Sequence, residues 1–150
     1  MGKVQILVGT IGGRAWQTAN AVASVLGRLG HDVRVNDKPQ IQDLVQDQDE
    51  ILLVCTSTTG EGELPPILYP LYIALDDQQL DLKGRHYGVI ALGDSGYRHF
   101  AQAGYMMENA LYMAGAKRIG EICALDARRV ENHPLEAAHW ANDWAAGLSS

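Results

Sequence analysis

Apolar residues follow two different patterns along this chain. Short apolar runs bounded by turn-forming residues predict five strands, over residues 4–8, 31–35, 51–55, 87–92 and 119–125. Between them, apolar residues recur every three or four positions, which is the spacing of one buried helix face. This spacing predicts a helix from Trp16 to an end at Gly30, a short one near 41–45, and further helices over 64–75, 100–114 and 134–148.

The alternation of strands and helices is typical of parallel βαβ units. We expect one doubly wound α/β domain over residues 1–150, with a five-stranded parallel sheet in the order 2-1-3-4-5 and helices on both faces. Alternating polarity in residues 31–35 indicates an edge strand. Ligands of such folds bind beyond the carboxyl ends of the strands. Because strands one, three and four are neighbours in this order, the loops after them should meet at one edge.

Aromatic residues divide between the predicted core and the predicted edge. Trp16 lies on the apolar stripe of the first helix, and Trp140 and Trp144 lie four residues apart in the last, so all three are expected to pack. Phe100 lies on an apolar helix face and is also better explained by packing. Tyr97, in a glycine-flanked turn, is placed to present its ring to a planar ligand.

Charge and composition exclude some classes of function. Twelve basic and 18 acidic residues give a net charge of −6, which argues against binding to nucleic acid or to an anionic membrane and leaves basic protein partners plausible. Neither a secretory leader nor a membrane-spanning stretch is expected, so a cytoplasmic location is predicted. Cys55 and Cys123 lie in apolar runs and should be buried thiols. His133 and His139 are expected at the surface, without metal-ligand spacing.

The loop after the third strand is the clearest candidate for a binding site. It reads Thr-Ser-Thr-Thr-Gly-Glu-Gly-Glu-Leu-Pro over residues 56–65. Four small hydroxyl residues and two glycines allow backbone groups to approach a ligand closely. The alternative is an ordinary hydroxyl-rich turn.

The loop after the first strand reads Thr-Ile-Gly-Gly-Arg-Ala over residues 10–15 and leads into a helix. Free amides and the helix dipole at such a position favour a phosphate group. The loop lacks both the GxGxxG pattern and the lysine of a P-loop, which argues against hydrolysis of nucleoside triphosphates.

Residues 92–100, after the fourth strand, read Leu-Gly-Asp-Ser-Gly-Tyr-Arg-His-Phe. Together with the loops at 10–15 and 56–65, this stretch resembles the phosphate loop and the two isoalloxazine loops of short-chain flavodoxins. The resemblance spans the whole chain and is strongest to the small stand-alone MioC-like flavodoxins. In chain order, residues 10–15, 56–65 and 92–100 are the first, second and third loops, and the second and third also resemble the FMN domains of diflavin reductases.

The resemblance implies non-covalent FMN and one-electron transfer. It places Thr58 within reach of the phosphate or ribityl chain and stacks Tyr97 on the flavin. The residues expected to line FMN are Thr10, Ile11, Gly12, Gly13, Arg14 and Ala15 at the phosphate, Thr56, Ser57, Thr58, Thr59 and Gly60 on one side of the ring, and Leu92, Gly93, Asp94, Tyr97, His99, Phe100 and Ala101 on the other.

Two positions depart from the family pattern. Ala15 replaces the usual Thr or Ser, which removes a hydroxyl donor to the phosphate, and Thr59 replaces a frequent Trp over the inner flavin face. Acidic side chains at Glu61, Glu63 and Asp94, with no balancing lysine, would oppose the negative charge of reduced flavin and lower its potential. The alternative is that these acids are simply solvated.

The expected function is that of a monomeric, low-potential electron carrier between a flavodoxin- or ferredoxin-type NADP reductase and an acceptor redox enzyme. An FMN-dependent reductase of a small molecule such as a quinone is the alternative. It would require a substrate pocket beside the flavin. A receiver-type signalling module is a third interpretation, but residues 8–10 lack the acidic cluster that it needs.

Overall fold

The structure, a computed structural model, describes residues 2–10, 12–59, 62–96 and 100–148. The strands are β1 Lys3–Gly9, β2 Asp32–Asn36, β3 Glu50–Thr56, β4 His86–Gly93, β5 Lys117–Arg118 and β6 Cys123–Asp126. The helices are α1 Arg14–Arg28, α2 Tyr69–Asp76, α3 Gln102–Met113 and α4 His133–Trp144, with 3-10 segments at Ile41–Leu44, Pro66–Leu68 and Ala145–Leu148.

All strand pairs described are parallel, in the order β2-β1-β3-β4, with β5 and β6 both paired to β4. The predicted doubly wound order is therefore confirmed, and β2 is the expected edge strand. Side chains of α1 and α4 cover one face of the sheet, and those of α2 and α3 cover the other. Because β3 and β4 are buried on both faces, their sequences are continuous apolar runs.

The fifth strand was predicted as continuous, and this is wrong. Residues 119–122 separate two short strands, β5 and β6, each of which pairs with β4. Gly120 has a φ of 67° there. The indole of Trp144 donates to the carbonyl oxygen of Ile119 at 2.9 Å, and that of Trp140 donates to the carbonyl oxygen of Glu121 at 3.2 Å. The Ile119 amide still donates to the Tyr87 carbonyl oxygen of β4 at 2.8 Å, but the carbonyls of Ile119 and Glu121 are satisfied by α4 instead of by a neighbouring strand, so the chain can leave the sheet after Ile119.

The helix after β3 begins later than predicted. Residues Pro66–Leu68 form a 3-10 turn, and α2 starts only at Tyr69. Prolines at 65, 66 and 70 supply no backbone donors, which prevents a regular helix from residue 64 onward. Ile67, expected on the buried face, is 38% exposed as a result.

The exposure of two side chains differs from the prediction. Trp16 is 38% exposed, because the buried stripe of α1 runs through Ala15, Thr18, Ala19, Val22 and Leu26 instead. His133 is only 5% exposed. Burial, with a smaller contribution from Arg14, lowers the pKa of this imidazole. His139 is exposed, as predicted.

Both cysteines are buried free thiols, as expected. Burial raises the pKa of each, that of Cys123 to about 12. Within the described residues, no helix is both long and apolar enough to cross a bilayer.

Candidate cofactor site

The first two predicted loops leave the sheet side by side. Gly9, at the end of β1, is in register with Thr56, at the end of β3, and Thr56 is in register with Ala91 of β4. The amide of Ser57 donates to the carbonyl oxygen of Gly9 at 2.9 Å. The carboxyl ends of these three strands thus form one edge, where the sequence predicted it.

The first loop forms an open turn of backbone at the start of α1. Gly12 and Gly13 have φ angles of 83° and 87°, which disfavour any other residue, and a Cβ on either would have no heavy atom within 4 Å. The amide of Gly13 donates to the Thr10 hydroxyl oxygen at 3.0 Å. The amides of the first turn of a helix have no partner within that helix, so this turn suits a phosphate.

Side chains around this turn contribute less than its backbone. Ala15 is fully buried, so its position offers a ligand only backbone groups. Arg14 is exposed and lines a cavity of about 340 Å³ together with Gln17 and His133. Ile11, also predicted at the phosphate, lies outside the described residues.

The second loop is held by its own hydroxyl groups. Thr56 is buried, and its hydroxyl donates to the carbonyl oxygen of Ser57 at 2.9 Å. Thr59 and Glu63 are joined twice, since the Thr59 amide donates to the Glu63 carbonyl at 3.1 Å and the Glu63 amide donates to the Thr59 hydroxyl at 3.0 Å. Gly60 lies outside the described residues.

The Thr58 hydroxyl joins the second loop to α3, the helix that follows the third loop. The Ala103 amide, in the first turn of α3, donates to the Thr58 hydroxyl oxygen at 3.2 Å. This contact draws the start of α3 toward residues 57–59. Ser57, Thr58 and Thr59 all remain partly exposed at the edge.

The third loop folds back closely on β4. A Cβ on Gly93 would lie 2.5 Å from the Ala101 amide nitrogen and 3.1 Å from Phe100 Cδ1. Ala101 is fully buried with a φ of 55°, and Phe100 packs against the core beneath α2 and α3. Leu92 is also buried. Tyr97 and His99 lie outside the described residues.

Asp94 has a counterion that the sequence interpretation, which considered only lysine, did not identify. Arg128, two residues beyond the end of β6, places its Nε 2.8 Å from Asp94 Oδ1. The Gly96 amide donates to the same oxygen at 2.7 Å. The hydrogen bond from the Gly96 amide, and then that from the Arg128 guanidinium, lower the pKa of Asp94. Sequence spacing could not reveal this pair, since the partners are 34 residues apart.

Asp126 is a second residue of this edge that the sequence interpretation missed. Its Oδ1 accepts hydrogen bonds from the amides of Ser95 at 3.0 Å and Arg128 at 2.9 Å. Hydrogen bonds from Ser95, then from Arg128, lower its pKa to about 2. Its position as the last residue of β6 was the available signal, because that end belongs to the same edge as the other loops.

The arrangement thus combines an open turn of backbone amides with two neighbouring loops fixed by hydrogen bonds. The turn suits a phosphate, and the loops provide backbone and hydroxyl groups for a neutral planar group beside it. Within the described residues, no group of His, Cys, Asp and Glu side chains is arranged to hold a metal ion.

Comparisons with known proteins agree with this geometry. A family model described as flavodoxin matches residues 6–140. Flavodoxin YqcA of Escherichia coli (strain K12) is 35% identical over 149 residues, covering 99% of this chain and 100% of that protein. Protein MioC of the same strain is 30% identical over 144 residues, covering 96% of this chain and 97% of that protein.

A longer relative and a solved structure extend the comparison. The sulfite reductase [NADPH] flavoprotein alpha-component of Thiocapsa roseopersicina is 30% identical over 151 residues, covering 99% of this chain and 28% of that protein. The structure of a C101A mutant of flavodoxin from Pseudomonas aeruginosa has a TM-score of 0.90 and 34% identity, with 99% of each chain covered. The chain therefore belongs to the flavodoxin family of FMN-binding electron-transfer proteins.

Proposed function

We propose that residues 1–150 act as one FMN-binding domain and that the protein is a low-potential electron carrier. The observation that carries this proposal is the meeting of three loops at one sheet edge. The Ser57–Gly9 bond of 2.9 Å joins the first loop to the second, and the Ala103–Thr58 bond of 3.2 Å joins the second to the start of α3.

Each loop has its own task in this proposal. Residues 10–15 bind the phosphate, chiefly by backbone amides around Gly12 and Gly13, with Arg14 at the rim. Residues 56–60 and 92–101 hold the ring between them, with Tyr97 stacked on it. Thr56, Ala15, Leu92 and Ala101 are buried, so they act through their backbone groups or by packing. When bound, FMN supplies the redox chemistry by accepting and releasing electrons one at a time.

The proposed cycle needs two partners. With FMN held by residues 10–15, 56–60 and 92–101, the chain would take up one electron from an NADPH-linked reductase and would pass it to an acceptor redox enzyme in a second encounter, so that it would be unchanged overall. The relative in the NADPH sulfite reductase flavoprotein supports a reductase of this type as the donor. A net charge of −6 supports transient contact with basic surfaces. We propose that the protein works as a cytoplasmic monomer.

A coupled assay tests the carrier role. The protein loaded with FMN is mixed with a flavodoxin-type NADP reductase, NADPH and cytochrome c as the final acceptor. We expect cytochrome reduction that requires all components and falls as salt screens the contact. Equal rates with free FMN in place of the protein would contradict the carrier role, and NADPH oxidation without the reductase would favour a reductase of small molecules.

A further inference from the structure

The loop after β6 is attached to the third loop of the cofactor site by three contacts. The Ala127 amide donates to the Gly93 carbonyl oxygen at 2.8 Å, and the Ser95 amide donates to Asp126 Oδ1 at 3.0 Å. The third contact is the charged one, between Arg128 Nε and Asp94 Oδ1 at 2.8 Å. Residues 126–128 therefore hold residues 93–95 from outside the three predicted loops.

The guanidinium of Arg128 also covers the backbone of this loop. A Cβ on Gly96 would collide with the guanidinium nitrogens, so a glycine at this position lets the arginine lie directly over the chain. The side chain crosses the loop to reach Asp94. The pairing of Arg128 with Asp94 thus depends on the small size of Gly96 as well as on charge.

The next arginine makes a different contact. Arg129 approaches Asp126 with an Nε–Oδ2 distance of 3.7 Å, and its side chain is 85% exposed. Among the described residues, Arg128 makes the one ion pair to Asp94. The two arginines carry the same charge on neighbouring residues, so Arg129 provides a matched control for the effect of net charge.

We propose that Arg128 is a positioning residue of the FMN site, which fixes the third loop through Asp94 and offsets the negative charge of that carboxylate. Reduction brings negative charge to the site, and a carboxylate without a counterion in the lining would oppose it. Arg128 therefore makes the bound flavin easier to reduce than Asp94 alone would allow. This inference rests on the proposed function, since it requires FMN beside residues 92–101.

The test compares midpoint potentials and FMN affinities for the wild-type chain, Arg128→Gln, Arg128→Lys and Arg129→Gln. In Arg128→Gln, we expect the affinity for reduced FMN to fall by about two- to fivefold more than that for oxidised FMN, which makes the potential more negative. Arg128→Lys should restore most of the difference, and Arg129→Gln should remain close to wild type. Because the pair is exposed, the effect should shrink at high salt.

The redox readout separates electrostatics from loop support. An equal fall in both affinities, or a potential shift no larger than that of Arg129→Gln, would show that Arg128 does not offset the charge of Asp94. Unchanged affinities in Arg128→Gln would show that it does not position the loop. Either result overturns that part of the inference while the proposed function stands. If the wild-type chain takes up no FMN, the proposed function fails and the inference fails with it. The Arg128 side chain is 65% exposed, so replacing it should leave the fold intact.

Discussion

Gly93 occupies the point where β4 ends and the third loop turns back over it. Its hydrogen leaves room for the Ala101 amide, which a Cβ would approach to 2.5 Å. Ala101 already has the strained φ of 55°, so this backbone has little freedom to move away. The shape of the third loop therefore depends on the absence of one carbon atom at Gly93.

Gly93→Ala should destabilise the protein by about 1–3 kcal/mol, because the added methyl group overpacks the loop. It should also weaken FMN binding by displacing Phe100 and Ala101. Urea unfolding and an FMN titration measure the two effects. Gly27→Ala is the control: its Cβ meets nothing within 4 Å, and alanine in α1 should stabilise the protein by up to about 1 kcal/mol. Equal midpoints for Gly93→Ala and wild type would disprove the packing argument.

Asp126 predicts a defined pH dependence. Its hydrogen bonds favour the charged form and lower its pKa from an ordinary 3.8 to about 2. A carboxylate with a lowered pKa contributes stability that is complete above the unfolded value and lost as pH falls through the folded one. Asp126→Asn should therefore be less stable than wild type at pH 6, and the difference should narrow between about pH 4 and 2.

Unfolding curves at several pH values check this prediction. Asp143→Asn, which changes an exposed carboxylate on α4, should show little difference from wild type across the same range. A gap between Asp126→Asn and wild type that stays constant down to pH 2 would show that the hydrogen bonds do not depend on the charge of Asp126.

At the scale of elements, α4 organises the end of the sheet. Trp140 and Trp144 stack with ring centroids 5.3 Å apart, and their indoles donate hydrogen bonds to the carbonyl oxygens of Glu121 and Ile119, respectively. Trp144 also lies against Gly88 of β4, where a Cβ would come within 2.8 Å of the ring. One helix thus determines where the pairing of β4 passes from β5 to β6.

Trp144→Phe should lower the free energy of unfolding by about 1–3 kcal/mol. The Ile119 carbonyl loses its donor, and the smaller ring fills less of a buried site. Trp140→Phe should cost less than about 1 kcal/mol, since that hydrogen bond is exposed. The free energies of unfolding in urea provide the comparison. A larger loss in Trp140→Phe than in Trp144→Phe would contradict the assigned roles.

The sequence predicted those elements whose signal is local. Apolar runs located β1, β3 and β4, and glycine-bearing loops located the edge where they end. The interruption at residues 119–122 depends on indoles from α4, 19 and 25 positions after the carbonyls that they contact, so no local pattern reports it. The late start of α2 could have been read from its prolines, which outweigh the apolar periodicity.

Side chains of the site were harder to predict than its location. Trp16 was misplaced because a hydrophobic stripe has limited width, and the alanines beside it pack closer to the sheet. His133 was misplaced because it lies beside residues distant in sequence, since it lines one cavity with Arg14 and Ala127. The Asp94–Arg128 pair joins two loops on different strands, which a sequence alone does not bring together.

In the molecule as a whole, the loops of the candidate cofactor site all lie at one edge of the sheet. Strand order alone brings the ends of β1, β3 and β4 together, and β6 adds Asp126 and Arg128 beside them. The helices that cover the two faces leave this edge accessible. The chain carries a net charge of −6, while Asp94 at this edge is paired with Arg128.

We expect this edge to bind FMN and the bound flavin to exchange its electrons one at a time. The most direct measurement is the absorption spectrum of the purified protein as FMN is added, followed by stepwise reduction under anaerobic conditions. We predict uptake of a single FMN per chain at micromolar concentrations, a shifted flavin spectrum and two separate one-electron reduction steps. An unchanged free-flavin spectrum at those concentrations would show that this edge does not bind FMN.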